Sequence, residues 1–165
     1  MQYIGSSQYG LRSSQPQAFR FDDPMGKKRH GTSASFTKVP NGVPGVETRL
    51  PLLFSEGVSK GRIDVTTFVA LTATNAARLY GLYPRKGTIA VGTDADLVIW
   101  DKDREVVITN DLLHHNCDYT PYEGLQVRGW PAVVMSRGEV VVEEGKLQVE
   151  PGRGEFLRCG PPARL

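Results

Sequence analysis

The chain has 165 residues, 39% of them hydrophobic and 23% charged, with a formal net charge of +2 at pH 7. That is room for one ordinary domain with its own core, but not for a (β/α)8 barrel, which takes about 250 residues. The balanced charge argues against a nucleic-acid partner, no apolar run of about eighteen residues is available to span a bilayer, and the N-terminus has no apolar stretch of the signal-peptide kind.

Residues 1–35 are dominated by Ser, Gln, Gly, Arg and Lys, sustain no helical or strand period, and are expected to be irregular. Only Met1-Gln2-Tyr3-Ile4 could be a strand remnant, and the basic cluster Lys27-Lys28-Arg29-His30 lacks the interleaved aromatics that stack on bases. Pro40-Asn41-Gly42 followed by Pro44-Gly45 makes a rigid loop whose main chain can approach another group closely. A helix is expected from Glu47 to Val58, with Leu50, Leu53, Phe54 and Val58 on one face and Glu47 in its first turn. Pro51 implies a kink or a delayed start, and Gly57 or Gly61 ends the helix.

Asp64 can cap a second helix through the N–H of Thr66 or Thr67, carrying Phe68, Val69 and Leu71 toward a core. Thr74 or Asn75 caps a third, Ala76 to Tyr80, with Gly81 just past its end. The period changes near Gly87. Ala90–Gly92, Leu97–Trp100 and Val106–Ile108 read as short strands, and Pro131–Val142 as a hairpin turning at Ser136-Arg137-Gly138-Glu139. Gly145 marks a further turn, and the glycine- and proline-rich tail from Pro151 reads as an extended arm. Trp100 and Trp130, beside apolar strand residues, are expected to pack rather than to form a stacking platform. Cys117 and Cys159 lack CxxC spacing, which fits reduced thiols and a cytoplasmic location.

Five segments carry a resemblance, in one order. They are Pro40-Asn41-Gly42-Val43-Pro44-Gly45-Val46-Glu47-Thr48-Arg49-Leu50, then Asn75 to Gly87 (NAARLYGLYPRKG), then Gly92-Thr93-Asp94-Ala95-Asp96. Asp118-Tyr119-Thr120-Pro121-Tyr122-Glu123-Gly124 and Gly152-Arg153-Gly154-Glu155-Phe156 complete the set. Together they resemble the C-terminal part of dihydropyrimidinases and D-hydantoinases, cyclic amidohydrolases of the amidohydrolase superfamily. The Pro-Asn-Gly element disfavours the related allantoinases and dihydroorotases.

The resemblance implies an α/β fold. Residues 36–86 would be the terminal loop and last helices of a TIM-type barrel, 87–150 strands of a small β-sandwich, and 151–165 a tail. It also implies hydrolysis of a carbon–nitrogen bond in a small cyclic amide or ureide by water activated on two metal ions, usually zinc. The main chain of Asn41 would hydrogen-bond the cyclic amide edge in a complete enzyme; in an isolated piece, Asn-Gly is an ordinary turn pair.

No catalytic residue and no metal ligand is expected here. Most family ligands lie upstream of the matched segments, and the family's Asp-His pair near Ala18-Phe19-Arg20 is absent. Gln15 or Ser7 stands at its place, and Asp22 and Asp23 match acidic residues beyond it. His114-His115-Asn116-Cys117-Asp118 combines competent ligands, but adjacent histidines point apart, so a structural role is expected; His30 is expected to be solvated. The chain therefore reads as a fragment, inactive alone and without zinc, of an enzyme that is homo-oligomeric, a tetramer in the family. The alternative is a non-catalytic dihydropyrimidinase-related scaffold, though such proteins keep the whole barrel.

Overall fold

The computed structural model describes residues 44–117 and 119–162. The segment 1–35, the loop around Asn41, and Asp118 lie outside the described residues. Helical elements come first and strands second, with the change near Gly87 that the periodicity implies.

Helix α1, Arg49–Leu53, widens directly into π-helical turns over Phe54–Ser59. The start is delayed, so Pro51 falls in the first turn, where the N–H that proline lacks would have no intrahelical partner. Gly61 follows the last turn, giving its N–H to Val58 O. The face buried here differs from the expected stripe. Thr48, Pro51, Phe54 and Ser55 are buried, whereas Leu50, Leu53 and Val58 are half-buried. A π-helical turn holds more residues than an α-turn, which rotates Ser55 and Ser59 toward the sheet.

The expected second and third helices are one helical run. Helix α2, Val65–Val69, passes through π-helical turns at Ala70–Thr74 into α3, Asn75–Leu79. Asp64 caps the start, its Oδ1 accepting from Thr67 N–H at 2.6 Å. Thr74 has helical dihedrals and caps nothing; its hydroxyl donates instead to Gly87 O at 2.7 Å. Of the residues expected in the core, only Phe68 is buried. Val69 and Leu71 are 46% and 54% exposed, because the run meets the rest of the described structure through one face alone.

The strands form one antiparallel sheet in the order β1-β2-β3-β4, with β1 at Leu97–Val107, β2 at Gln126–Ser136, β3 at Glu139–Glu143 and β4 at Lys146–Leu147. The runs expected near Leu97 and Val106 are thus one long strand, irregular between Asp101 and Glu105. Pro131 sits in β2 at a second register shift, where a missing N–H does least harm. Ala90–Gly92 is a turn rather than a strand, with Ile89 and Val91 projecting outward. The β2–β3 hairpin is the expected one: Arg137 (φ 53°) and Gly138 (φ 81°) form its two-residue turn, and Glu144–Gly145 repeat that geometry before β4.

Two apolar clusters hold the sheet. Ile108, Leu113, Val127 and Trp130 form one, with Leu52 and Tyr122 packed against it; Val134, Val141 and Val142 form the other. Trp130 is therefore a core residue. The helices join the sheet through an aromatic cluster, with ring centroids 5.4 Å apart for Phe54–Phe68 and 4.9 Å for Phe54–Trp100. Gly129 makes this approach possible: at φ 97°, a Cβ there would sit 2.2 Å from the Phe54 ring. Alongside it, Ser55 Oγ accepts from Arg128 N–H at 3.1 Å and Ser59 Oγ donates to Arg128 O at 3.2 Å. Two hydroxyls thereby satisfy a stretch of β2 that β3 does not reach, protecting what would be an open sheet edge.

Candidate functional site

The described part of the glycine-proline loop begins at Pro44 and runs into α1. Gly45 O accepts from Arg49 N–H at 3.0 Å and from the Thr48 hydroxyl at 3.4 Å, and Thr48 is buried. Tyr122 lies over Gly45, with ring atoms 3.7 Å from where a Cβ would be. The first and fourth of the matched segments are therefore neighbours in space.

Glu47 does not act on the helix dipole, as its sequence position implied. Its Oε2 accepts from His114 N–H at 2.8 Å, and its Oε1 lies 2.7 Å from His114 Nδ1. His114 Nε2 is 3.0 Å from Gly145 O. Nε2 faces a carbonyl and Nδ1 a carboxylate, so both ring nitrogens point at acceptors. Through this one side chain, the start of α1, the loop after β1 and the β3–β4 turn are tied together. Sequence reasoning singled out Glu47 and His114 separately, and nothing in their spacing showed that they meet.

His115 points elsewhere. Its Nδ1 accepts from Cys117 N–H at 3.1 Å, and Nε2 is buried without a partner among the described residues. Burial pushes His115 below its ordinary value, partly offset by the negative charge of Glu47. The two histidines are thus turned to different partners. Cys117 and Cys159 are not joined by a disulfide.

The third matched segment is a charge clamp. The Lys86 ammonium is buried between Asp96 Oδ2 and Asp94 Oδ2, the latter at 2.8 Å, and Arg85 Nε adds a contact to Asp94 at 2.9 Å. Asp96 Oδ1 accepts from Arg137 N–H at 2.8 Å, which fixes the β2–β3 turn. The bond to Lys86, helped by Arg85, holds Asp94 below its ordinary value. Burial alone would raise Asp96, but Lys86 and the Arg137 N–H outweigh it and hold this carboxyl low as well. In the last segment, Arg153 pairs with Glu139 at 2.6 Å and donates to Ser136 O at 2.9 Å, so the tail is strapped to the same hairpin.

One cavity lies between the start of α1 and the sheet, lined by Glu47, Leu50, Trp100, Trp130, Val142 and Gly145 among others, with a volume of about 60 Å³. Ligand pockets usually measure about 300–1,000 Å³, and this one is smaller. No three His, Cys, Asp or Glu side chains come together as a metal site among the described residues. Nor is any helix among them long and apolar enough to cross a membrane. Asn41, the expected substrate contact, lies outside the described residues.

Residues 30–141 match the model of the amidohydrolase family. The chain belongs to that family. Within it, the chain is 48% identical over 133 residues to a D-hydantoinase from Ralstonia pickettii, covering 81% of this chain and 29% of the relative. It is 46% identical over 152 residues to a D-hydantoinase from Geobacillus stearothermophilus, covering 90% and 32%. The crystal structure of dihydropyrimidinase from Brevibacillus agri NCHU1002 superposes with a TM-score of 0.77 at 41% identity, covering 91% of this chain and 31% of that one. The chain thus spans about a third or less of the length of these relatives. Within the matched span, Glu47 takes His114, and Lys86 takes Asp94 and Asp96; beyond it, Arg153 takes the hairpin.

Proposed function

We propose that this chain is the C-terminal part of a hydantoinase- or dihydropyrimidinase-type hydrolase that opens cyclic amides or ureides at a carbon–nitrogen bond. The carrying observation is the sustained identity to D-hydantoinases, 48% over 133 residues of this chain. In this reading residues 36–86 close a barrel, 87–150 contribute strands to a sandwich, and 151–165 trail from it. The complete protein is a cytoplasmic homo-oligomer, and the exposed Val65, Val69 and Leu71 are covered by the rest of the barrel.

The described residues do not fit a zinc pair. His114 is engaged at both ring nitrogens, His115 Nδ1 faces the Cys117 N–H, and Asp94 and Asp96 are spent on Lys86. Two zinc ions of a complete enzyme would rest on other residues, and the contribution of this chain is the loop bearing Asn41 together with the surface that supports it. A second reading, a non-catalytic scaffold, draws on the absence of an Asp-His pair at Gln15 or Ser7.

A chimera separates the two readings. Residues 30–162 of this chain would replace the matched segment of the Ralstonia pickettii D-hydantoinase, with the rest of that relative's chain retained. The chimera is expected to open hydantoin or dihydrouracil rings, whereas the chain alone binds no stoichiometric zinc and opens neither. A folded, metal-loaded chimera without ring-opening activity would favour the scaffold.

A further inference from the structure

We infer that residues 151–162 form a hinged strap. Its hairpin end stays fixed while its far end opens and closes on Gly81, and ionic strength sets the balance between the two states. The inference stands apart from the function proposed above, since every contact it uses lies within the described residues.

The two anchors are unequal. At the hairpin end the grip is reciprocal. Arg153 Nε and Nη2 donate to Glu139 Oε2 at 2.9 and 2.6 Å, and Nη2 also donates to Ser136 O at 2.9 Å. In return, the Arg137 guanidinium donates to Arg153 O and lies 2.5 Å from a Glu155 oxygen. Glu139 and Glu155 are 60% and 68% exposed at their side chains, so dissolved salt reaches both pairs. The hairpin has a further hold that does not involve the tail, because Arg137 N–H donates to Asp96, which Lys86 clamps. At the far end the anchor is one neutral main-chain bond, Gly160 N–H to Gly81 O at 3.1 Å. Phe156, Arg158 and Cys159, between the anchors, are exposed.

A single neutral bond is weak on its own. It is kept made by the short span, 156–159, that tethers Gly160 to the charged anchor. Once that anchor lets go, the nearest hold is Val149, which packs beside Val134, Val141 and Val142, and the free span becomes 150–159. More than doubling a flexible span makes its closure about three-fold less favourable. Screening the ion pairs therefore opens the far end, while the hold of Asp96 on Arg137 keeps the hairpin in place. Closure also requires a glycine at its landing point, since a Cβ on Gly81 would lie 2.1 Å from Gly160 O.

Amide hydrogen exchange in the full chain, followed by NMR, tests the strap. In the parent, exchange at Gly160 is expected to quicken about three-fold between low salt and about 1 M, where screening acts within about 3 Å. Exchange at Arg137, bonded to Asp96, and at the buried Ile108 should stay as it was. The double variant Arg153→Met, Glu155→Gln should exchange about three-fold faster at Gly160 already at low salt, and should no longer respond to salt. Gly81→Ala blocks the landing point instead, so Gly160 should lose its protection with Arg137 unchanged; this variant decides the matter should the double variant fail to fold. The inference is overturned if Gly160 exchange in the parent ignores salt, or if the double variant matches the parent. It is overturned equally if exchange at Arg137 rises in step with Gly160, which would mean that the whole hairpin opens.

Discussion

The sheet and the long helical run are both rich in apolar residues and bury different shares of them. In and beside the sheet, Val127 and Trp130 are buried with Ile108 in one cluster and Val134, Val141 and Val142 in another, although Ile99, Val107 and Leu147 stay exposed. In the run from Val65 to Leu79, Phe68 and Ala77 are buried while Val65, Val69, Leu71 and Leu79 are about half exposed. The sheet supplies its own core. The helices borrow theirs at one aromatic contact and offer the rest outward, as a surface does that expects covering. An apolar stripe in a sequence therefore says that a face will be buried somewhere, not that the burying partner lies within the same segment.

The hardest test of that asymmetry is to cut the contact. Phe54→Ala should cost about 3–5 kcal/mol by denaturant unfolding, as for other buried aromatics, and should release the helices before the sheet. Gly129→Ala is also destabilising, since its Cβ would strike the Phe54 ring at a φ of 97°. The double variant should lose less than the sum, because removing the ring removes the clash; strict additivity would mean that the two do not meet.

Next in size is the clamp that ties the end of the helical half to the hairpin. Lys86→Met leaves Asp96, 3% exposed at its side chain, without its cation, and should cost about 3 kcal/mol. The same clamp predicts an acid limit. Asp94 and Asp96 are held below their ordinary value of 3.8, so their stabilisation is complete above pH 3.8 and is lost as pH falls through their folded values. Melting temperature measured from pH 6 to pH 2 should lose this contribution only below about pH 4, and fall there more shallowly in Asp96→Asn; parallel curves would contradict it. The smallest effect belongs to the uncovered face: Val65→Lys with Val69→Lys should change stability by about 0.5 kcal/mol or less per site yet reduce self-association in light scattering. A large loss of stability there would mean that the face is buried after all.

Much of this architecture was legible in the residues, and what was missed has a common cause. The Asp64 cap, the turn at Arg137-Gly138 and the end of the last helix at Gly81 are local, decided by residues within a few positions of each other. The buried face of α1 was misjudged because the π-helical turns shift the period, and the run 65–79 was split because Thr74 looked like a cap when its hydroxyl was needed by Gly87. Ala90–Gly92 has the composition of a strand but no neighbour to pair with among the described residues. In the candidate site, Glu47 and His114 were each noticed, but a contact across all the helices and β1 leaves no trace in local spacing.

The tail offers a last consequence, in the order of folding. Gly160 N–H bonds Gly81 O at 3.1 Å, and any Cβ on Gly81 would lie 2.1 Å from Gly160 O. That bond closes a loop holding the entire sheet. Bringing together ends so far apart is entropically costly until the intervening strands have paired. The Gly81–Gly160 bond should therefore be among the last to form and the first to open, and protease nicking near Cys159 would report how often the finished molecule unlatches.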